Sequence, residues 1–149
     1  MAAVAAGAVE LGLRVVTAES LTAGGIAGAL ASGPRAATWF AGGLVAYQES
    51  TKSELLGVVD CPVVSRACVE QMAYGALNLF GADVAVASTG VGGPEPSEGK
   101  PPGTLHLAVA DRSRVVHQEL LIPGPPSYVV AASTRAGVGQ LAAFFVRER

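Results

Sequence analysis

The sequence predicts an α/β fold, namely a single domain that forms a three-layer α/β/α sandwich around a mixed central sheet. Short β-branched runs alternate with segments of helical periodicity, which is typical of helices packed on both faces of a sheet. Two late strands joined by a tight turn predict an antiparallel pair, so the sheet is expected to be mixed. The 149 residues show no internal repeat and no linker, and this length suits one domain with a sizeable core.

The first half of the chain predicts a strand, a tight turn and a helix, preceded by a helix-prone Ala-rich start. Turn residues in such a unit lie at the carboxyl edge of a sheet. Gly33-Pro34 then interrupts the pattern before a second strand and a short helix. The expected elements are a helix over 2–11, a strand over 13–18, a turn over 19–22, a helix over 24–31, a strand over 40–47 and one or two helical turns over 50–56.

The second half predicts a strong helix, three strands and a closing helix. Ser65 is a good N-cap for a helix over 66–80, and Gly81 suits the position after its end. Residues 89–103 are too rich in Gly and Pro for regular structure, and a loop of this length is usually functional. Ser127 is expected to cap the last helix. The remaining elements are strands over 83–88, 104–110 and 115–122, a proline loop over 123–127 and a helix over 128–146.

Composition excludes several classes of function. Ten Lys and Arg against twelve Asp and Glu give a net charge of −2, and without a basic stripe this argues against a nucleic-acid binder. The uncharged stretch 20–34 is too short and polar to span a membrane, and the start has no basic n-region. We therefore expect a cytoplasmic protein that is not bound to a membrane. Cys61 and Cys68 lack the spacing of a metal site, so no metal is expected. The apolar share of 50% suggests a homo-oligomer.

Ser20 is the first candidate for chemistry, because it lies on the predicted turn between a buried strand and a helix. The hydroxyl there projects from the sheet edge, and backbone N–H groups of the following turn point into the same space. This geometry suits a nucleophile with an oxyanion or phosphate site. The alternative is structural: Ser20 or Thr22 caps the helix, and the glycines serve close packing.

Lys52 is the candidate base for Ser20. His106 and His117 lie in the predicted hairpin without a carboxylate at useful spacing, so a Ser-His-Asp arrangement is disfavoured. A lysine replaces histidine when burial lowers its pKa enough to leave a neutral amine. Tyr47 is placed to relay a proton or to orient the lysine. Alternatively, Lys52 is an ordinary solvated helix residue.

The segment S-T-G-V-G-G-P at 88–94 is a third candidate, since successive glycines can form an anion-binding nest of N–H groups. It is neither a Walker A loop nor a convincing dinucleotide fingerprint, because no G-K-[ST] follows and Pro94 and Pro96 replace a helix.

Taken together, these segments resemble the C-terminal domain of the competence/damage-inducible CinA proteins and their stand-alone relatives, the nicotinamide-nucleotide amidases. The resemblance covers almost the whole chain. The matching segments are T-A-E-S-x-T at 17–22, G-G-x-V-A-Y-x-x-x-x-K at 42–52, S-E-L-L-G-V at 53–58, V-S at 64–65, G-A-D-V-A-V-A-x-T-G at 81–90, G-P at 93–94 and K-P-x-G-T at 100–104.

The resemblance implies hydrolysis of nicotinamide mononucleotide to nicotinic acid mononucleotide and ammonia, without a metal or organic cofactor. It implies Ser20 as nucleophile, Lys52 as general base and the Tyr47 hydroxyl as their support. The residues expected to bind this small-molecule nucleotide are Glu19, Thr22, Ala23, Gly24, Thr89, Gly90, Gly92, Gly93 and Arg135.

The chain departs from the family pattern at three places. Ala23 replaces a glycine, which matters if that position needs a positive φ. Residues 124–127 read G-P-P-S where the family has G-D-R and a further arginine. If that arginine holds the substrate phosphate, this chain uses another cation, such as Arg135 or Lys100, or it prefers a different substrate. Glu95 and Glu98 stand where the family has a glycine-rich insert. These departures keep a second hypothesis open, a non-catalytic pyridine-nucleotide-binding or regulatory module.

Overall fold

The computed structural model describes residues 1–146, which form a five-stranded sheet with helices on both faces. The strands are β1 (Val15–Glu19), β2 (Phe40–Val45), β3 (Val84–Gly90), β4 (Thr104–Ala110) and β5 (Val115–Leu121). The helices are α1 (Ala2–Leu11), α2 (Gly25–Ala31), α3 (Ala36–Trp39), α4 (Glu49–Leu56), α5 (Arg66–Phe80) and α6 (Pro126–Val146).

The sheet has the strand order β2-β1-β3-β4-β5 and is mixed, as the sequence predicts. β1 pairs in parallel with β2 and β3, whereas β3–β4 and β4–β5 are antiparallel. The carboxyl ends of β1, β2 and β3 therefore meet at one edge. In the register of that edge, Glu19 lies opposite Val45 on one side and Ser88 on the other.

Successive side chains of each strand point to opposite faces of the sheet, so the core has two layers. In β1, Val16 and Ala18 face α4 and α5, while Val15 faces α1, α2 and α6. The α5 face is lined largely by alanines, which let this helix lie close to the sheet. The α5 helix starts as predicted, since the Ser65 hydroxyl accepts the Cys68 N–H at 3.1 Å. The α/β/α prediction is confirmed.

The closing helix α6 is, within residues 1–146, the one helix long and apolar enough by length and composition to cross a membrane. Here it packs against α1, α2 and β4, with Val129, Leu141 and Phe145 buried. A core helix is expected to be apolar on the face that it buries.

Several details differ from the sequence prediction. The strand β1 is Val15–Glu19 and not 13–18, so Glu19 ends the strand and does not belong to the turn. The short helix α3 falls between Gly33-Pro34 and β2, where no element was expected. The helix α6 begins at Pro126, so Ser127 lies inside it and is not its cap; proline is favoured in a first turn because it needs no N–H acceptor there. The strand β3 continues through Thr89 and Gly90, which were expected in the loop, because both residues pair with β4.

Candidate active site

Ser20 directly follows β1 and begins the turn that leads into α2. Its N–H donates to the Ser88 carbonyl at 2.9 Å, which extends the pairing of β1 with β3 by one residue. Its side chain therefore stands at the sheet edge that the sequence predicts, and the residue is only 7% exposed.

Glu19 fixes the shape of this turn from beneath. The fully buried carboxylate accepts the Thr22 hydroxyl at 2.6 Å and the N–H groups of Gly24, Ile26 and Ala27 at 3.1, 2.9 and 2.7 Å. Three of these donors lie at the start of α2, where a negative charge also complements the helix dipole. With its oxygens occupied in this way, Glu19 positions the turn, and the expectation that it binds substrate directly is not supported by the geometry.

Thr22 belongs to the same buried network. Besides its bond to Glu19, its hydroxyl lies 2.7 Å from the Ser88 hydroxyl, which ties the turn to β3. Thr22 is 2% exposed. Like Glu19, it is placed to hold the turn rather than to face a ligand.

The turn contains two consecutive residues with positive φ, Ala23 at 47° and Gly24 at 94°. The position that the family fills with glycine is therefore one where a side chain is strained. Within the described residues, the N–H groups of Leu21 and Thr22 have no hydrogen-bond acceptor, whereas those of Ala23 and Gly24 do. An oxyanion site requires backbone donors that have no partner within the protein, and these two N–H groups meet that requirement.

Lys52 lies on α4 and reaches the serine. Its Nζ donates to Ser20 Oγ at 3.0 Å and to the Tyr47 carbonyl at 2.8 Å. The residue is 1% exposed, and burial lowers the pKa of its amine, an effect that nearby Cys68, Glu49 and Glu98 partly oppose. The alternative of a solvated lysine is wrong: the structure has a buried lysine in contact with a serine.

Tyr47 contacts Lys52, but through its main chain. Its side chain is 67% exposed, and its hydroxyl has no hydrogen bond with a described residue. The carbonyl oxygen of Tyr47, and not the expected hydroxyl, thus contacts Lys52, since Tyr47 lies in the short segment between the end of β2 at Val45 and the start of α4 at Glu49.

Thr89 anchors a neighbouring segment. Its hydroxyl donates to the Val63 carbonyl at 2.8 Å, and Glu98 accepts the N–H groups of Val63 and Val64 at 3.0 and 2.7 Å. The strand β3 and the glycine-rich loop therefore hold residues 63–64 from both sides. Thr89 itself is fully buried.

The glycines of the loop serve different purposes. At Gly90 a Cβ would overlap the Thr104 carbonyl, so glycine permits the close approach of β3 and β4. At Gly92 a Cβ would lie 3.1 Å from Leu21, which places this residue beside the turn that begins at Ser20. Gly93 has a φ of 84° and precedes a cis proline. The N–H groups of Gly92 and Gly93 have no acceptor among residues 1–146, whereas that of Val91 pairs with Thr104.

Arg135 is an exposed residue of α6, without a hydrogen bond or ion pair to any residue in the described part of the chain. Lys100 is exposed on the loop, where its main chain pairs with Ser97. The structure therefore brings neither cation into contact with Ser20 or Lys52. His106 and His117 pair with each other, at 3.1 Å between ring nitrogens, and not with the serine.

A cavity of about 350 Å³ adjoins Lys52 between α4 and the segment that follows it. Glu49, Asp60, Cys61 and Val63 are among the residues that line it. Cys68 is close enough to Lys52 to interact with it electrostatically, and burial raises the pKa of its thiol to about 12, so it is a poor nucleophile. No group of His, Cys, Asp and Glu within residues 1–146 has the arrangement of a metal site.

The fold and this site define a class: an α/β/α domain that carries a buried Ser–Lys pair at the carboxyl edge of its sheet. The model of the CinA C-terminal domain matches residues 1–145, and the chain belongs to that family.

Relatives and solved structures agree with the assignment. The chain is 41% identical over 128 residues to a CinA-like protein of Mycobacterium marinum. The matched region covers 81% of this chain but only 30% of that protein. A CinA superfamily protein from Klebsiella pneumoniae has 34% identity and a TM-score of 0.92, over 97% of this chain and 94% of its own. One from Escherichia coli has 31% identity and a TM-score of 0.90, over 94% and 85%. The chain thus spans under a third of the curated Mycobacterium relative but 94% and 85% of these two solved structures.

Proposed function

We propose that this domain is an amidohydrolase that converts nicotinamide mononucleotide to nicotinic acid mononucleotide and ammonia. The observation that carries the proposal is the 3.0 Å hydrogen bond between Lys52 Nζ and Ser20 Oγ at a buried site. A serine needs a base to attack a carboxamide, and a lysine held neutral by burial is such a base.

The proposed reaction has two halves. Neutral Lys52 takes the proton of the Ser20 hydroxyl as Oγ forms a bond to the carboxamide carbon. The protonated lysine then gives that proton to the departing nitrogen, and the C–N bond breaks. Ammonia is released, and the acyl group remains as an ester on Ser20. The same lysine then deprotonates a water molecule, which attacks the ester carbon. The bond to Ser20 Oγ breaks, the carboxylic acid leaves, and the lysine returns the proton to Ser20. One water is consumed for each ammonia released.

The backbone supports both halves. The N–H groups of Leu21 and Thr22, free among residues 1–146, supply donors for the oxyanion that forms at each attack. One such donor typically lowers the activation barrier by about 3–4 kcal/mol. The Tyr47 carbonyl, which accepts from Lys52 at 2.8 Å, holds the amine on the serine.

The experiment is to incubate the purified chain with nicotinamide mononucleotide and to measure ammonia and the acid product together. Equal amounts of both support the proposal. If the nucleotide is recovered intact across the pH range in which the protein stays folded, the proposal is wrong. A cytoplasmic location and a homo-oligomer remain part of the same proposal, and size-exclusion chromatography with light scattering tests the second.

A non-catalytic pyridine-nucleotide-binding or regulatory module is the second candidate. It is favoured by Pro125 and Pro126, which occupy the place where the family carries an arginine before the last helix. Calorimetric titration separates the two candidates, because this module binds the mononucleotide and its acid without releasing ammonia.

A further inference from the structure

The two cysteines of the chain lie together near Lys52, although the proposed reaction uses neither of them. Cys61 belongs to the segment between α4 and α5, and Cys68 to the first turn of α5. Both are free thiols, of which Cys68 is fully buried and Cys61 partly exposed. Their side chains pack in one cluster, and the Cys68 thiol donates a hydrogen bond to the Cys61 sulfur. The two sulfurs are therefore neighbours, as the formation of a disulfide requires.

Cys61 Sγ is the sulfur that an oxidant reaches first. Cys61 lines the cavity of about 350 Å³ beside Lys52, so a small solute in that cavity can contact it. Gln71 Nε2 donates to this sulfur at 3.6 Å, in addition to the bond from Cys68. A thiolate is the form of cysteine that attacks an oxidant, and hydrogen-bond donors at the sulfur stabilise its negative charge.

The segment that carries Cys61 is anchored on both sides of this residue. On one side, the side-chain amide of Gln71 binds the N–H and the carbonyl of Val59, at 2.8 and 3.1 Å. On the other side, a carboxylate of the glycine-rich loop binds the N–H groups of residues 63–64. Between these anchors, the main chain of Cys61 makes no hydrogen bond with any of residues 1–146. Cys61 can therefore approach Cys68 without breaking a backbone hydrogen bond of its own.

The same segment also contacts Lys52. The Val58 N–H donates to the Lys52 carbonyl at 3.2 Å, and Cys68 is close enough to interact electrostatically with the lysine amine. The two sulfurs of a disulfide are about 2.05 Å apart, which is much closer than two thiols in van der Waals contact. Closing the bond therefore draws the cavity wall toward α5 and displaces a segment attached to Lys52. A displacement of about 1 Å from the reactive geometry can lower a rate about a hundredfold.

We propose that Cys61 and Cys68 are a site of reversible oxidation, which form a disulfide on exposure to a small peroxide, and that this disulfide slows the reaction of the Ser20–Lys52 pair. The effect on the rate rests on the proposed hydrolysis. The formation of the disulfide does not depend on it.

The oxidation proceeds in two steps. Cys61 Sγ bonds to one oxygen of the peroxide, the O–O bond breaks, and the other oxygen leaves as water with the thiol proton, so that Cys61 becomes a sulfenic acid. Cys68 Sγ then bonds to Cys61 Sγ, the S–O bond breaks, and the hydroxyl group leaves as water with the Cys68 proton. Two thiols are oxidised, and one hydrogen peroxide is reduced to two water molecules.

The first measurement is the intact mass of the chain after treatment with hydrogen peroxide and alkylation of the remaining thiols. We expect both cysteines to escape alkylation and the chain to lose the mass of two hydrogen atoms. Dithiothreitol should restore both thiols, since a disulfide is reducible and a sulfinic acid is not. The single variants Cys61→Ser and Cys68→Ser are the controls, and neither should show this loss of mass.

The second measurement is ammonia release from nicotinamide mononucleotide, with each protein compared before and after oxidation. We expect kcat/KM of wild type to fall by about tenfold or more and to recover with dithiothreitol. Cys61→Ser should keep the rate of its own untreated form, because its remaining thiol is buried.

Three results would contradict this account in different ways. Alkylation of both cysteines after peroxide treatment, or oxidation that dithiothreitol does not reverse, would overturn the disulfide. A disulfide that leaves kcat/KM unchanged would overturn its control of the rate. Absence of ammonia release from the reduced chain would overturn the proposed function and the effect on its rate, while the mass measurement would still decide whether the disulfide forms.

Discussion

Lys52 Nζ lies 3.0 Å from Ser20 Oγ, although the two residues are 32 positions apart on different elements. Ser20 stands at the carboxyl end of β1, and Lys52 projects from the first turns of α4. The parallel pairing of β1 with β2 brings them together, because α4 follows β2 at the same sheet edge. The contact thus depends on the topology of the sheet, whereas the lowered pKa of the Lys52 amine depends on its burial.

The pH profile of the reaction should report the state of Lys52. Burial lowers the pKa of its amine from 10.5, so the fraction of neutral base grows as pH rises through that lowered value. We expect kcat/KM to rise with pH through that lowered pKa and to level off below 10.5. Steady-state assays at constant ionic strength measure this, and a rate that keeps rising with pH through 10.5, as for an unshifted lysine, would contradict a buried lysine base.

The same pKa shift predicts a pH-dependent stability. Between the lowered folded-state pKa and 10.5, Lys52 binds fewer protons in the folded chain than in the unfolded chain. The free energy of unfolding therefore gains a contribution that increases with pH across that window.

Urea unfolding of wild type and Lys52→Met measures this contribution. The advantage of the methionine variant over wild type should be greatest near neutral pH and should shrink as pH rises. Lys100→Met, at an exposed lysine, is the matched control and should show a pH-independent difference. A Lys52→Met difference that stays constant with pH would mean that the amine is not buried in solution.

Tyr47→Phe should leave kcat within about threefold of wild type. The carbonyl of residue 47, and not its exposed hydroxyl, binds Lys52, and the substitution keeps the main chain. The ammonia assay decides: a loss of about a hundredfold or more, the range of a proton-transfer group, would assign a chemical role to the hydroxyl.

Glu19→Gln should destabilise the fold by about 2–4 kcal/mol, because an amide NH₂ would face N–H donors where a carboxylate oxygen now accepts them. The carboxylate holds four donors at the start of the turn and of α2. Urea unfolding gives the value, with the exposed Glu54→Gln as control. A cost below about 0.5 kcal/mol, as at ordinary surface sites, would show that this network does not form.

Ala23→Gly should stabilise the protein by about 0.5–1 kcal/mol. Relief of the positive φ at 47° outweighs the greater chain entropy of glycine in the unfolded state. Ala131→Gly, at an exposed position inside α6, is the matched control and should cost about 1 kcal/mol. Thermal unfolding compares the two, and a loss of stability at both positions would contradict a left-handed conformation at Ala23.

Sequence reasoning predicted the layers and the strands, because each leaves a local pattern. β-branched runs bounded by Gly and Pro define strands, and Ser65 with Gly81 defines the ends of α5. The serine and lysine were brought together by their place in a resemblance that spans the chain, and the contact in the structure agrees with that pairing.

Other parts of the site could not be predicted, since they depend on contacts between distant segments. The bond of Glu98 to Val63 and Val64 joins residues more than thirty positions apart, and a carboxylate in a Gly-Pro loop gives no local sign of it. The role of Glu19 beneath the turn was also missed, although a local signal exists. Its four donors follow within eight residues, and an acidic residue shortly before a helix of small residues could have indicated it. Only the folded chain shows that Tyr47 presents its carbonyl and Arg135 lies apart from the pair.

Ammonia release from nicotinamide mononucleotide by Ser20→Ala and Lys52→Ala, beside the exposed-serine control Ser32→Ala, tests the central claim most directly. With folding verified by thermal unfolding, we expect kcat to fall by about 10²–10⁴-fold or more in the first two variants and to stay at the wild-type value in the control. Turnover by Ser20→Ala at a rate near that of wild type would contradict the account, because the hydroxyl held by Lys52 would then not be the nucleophile.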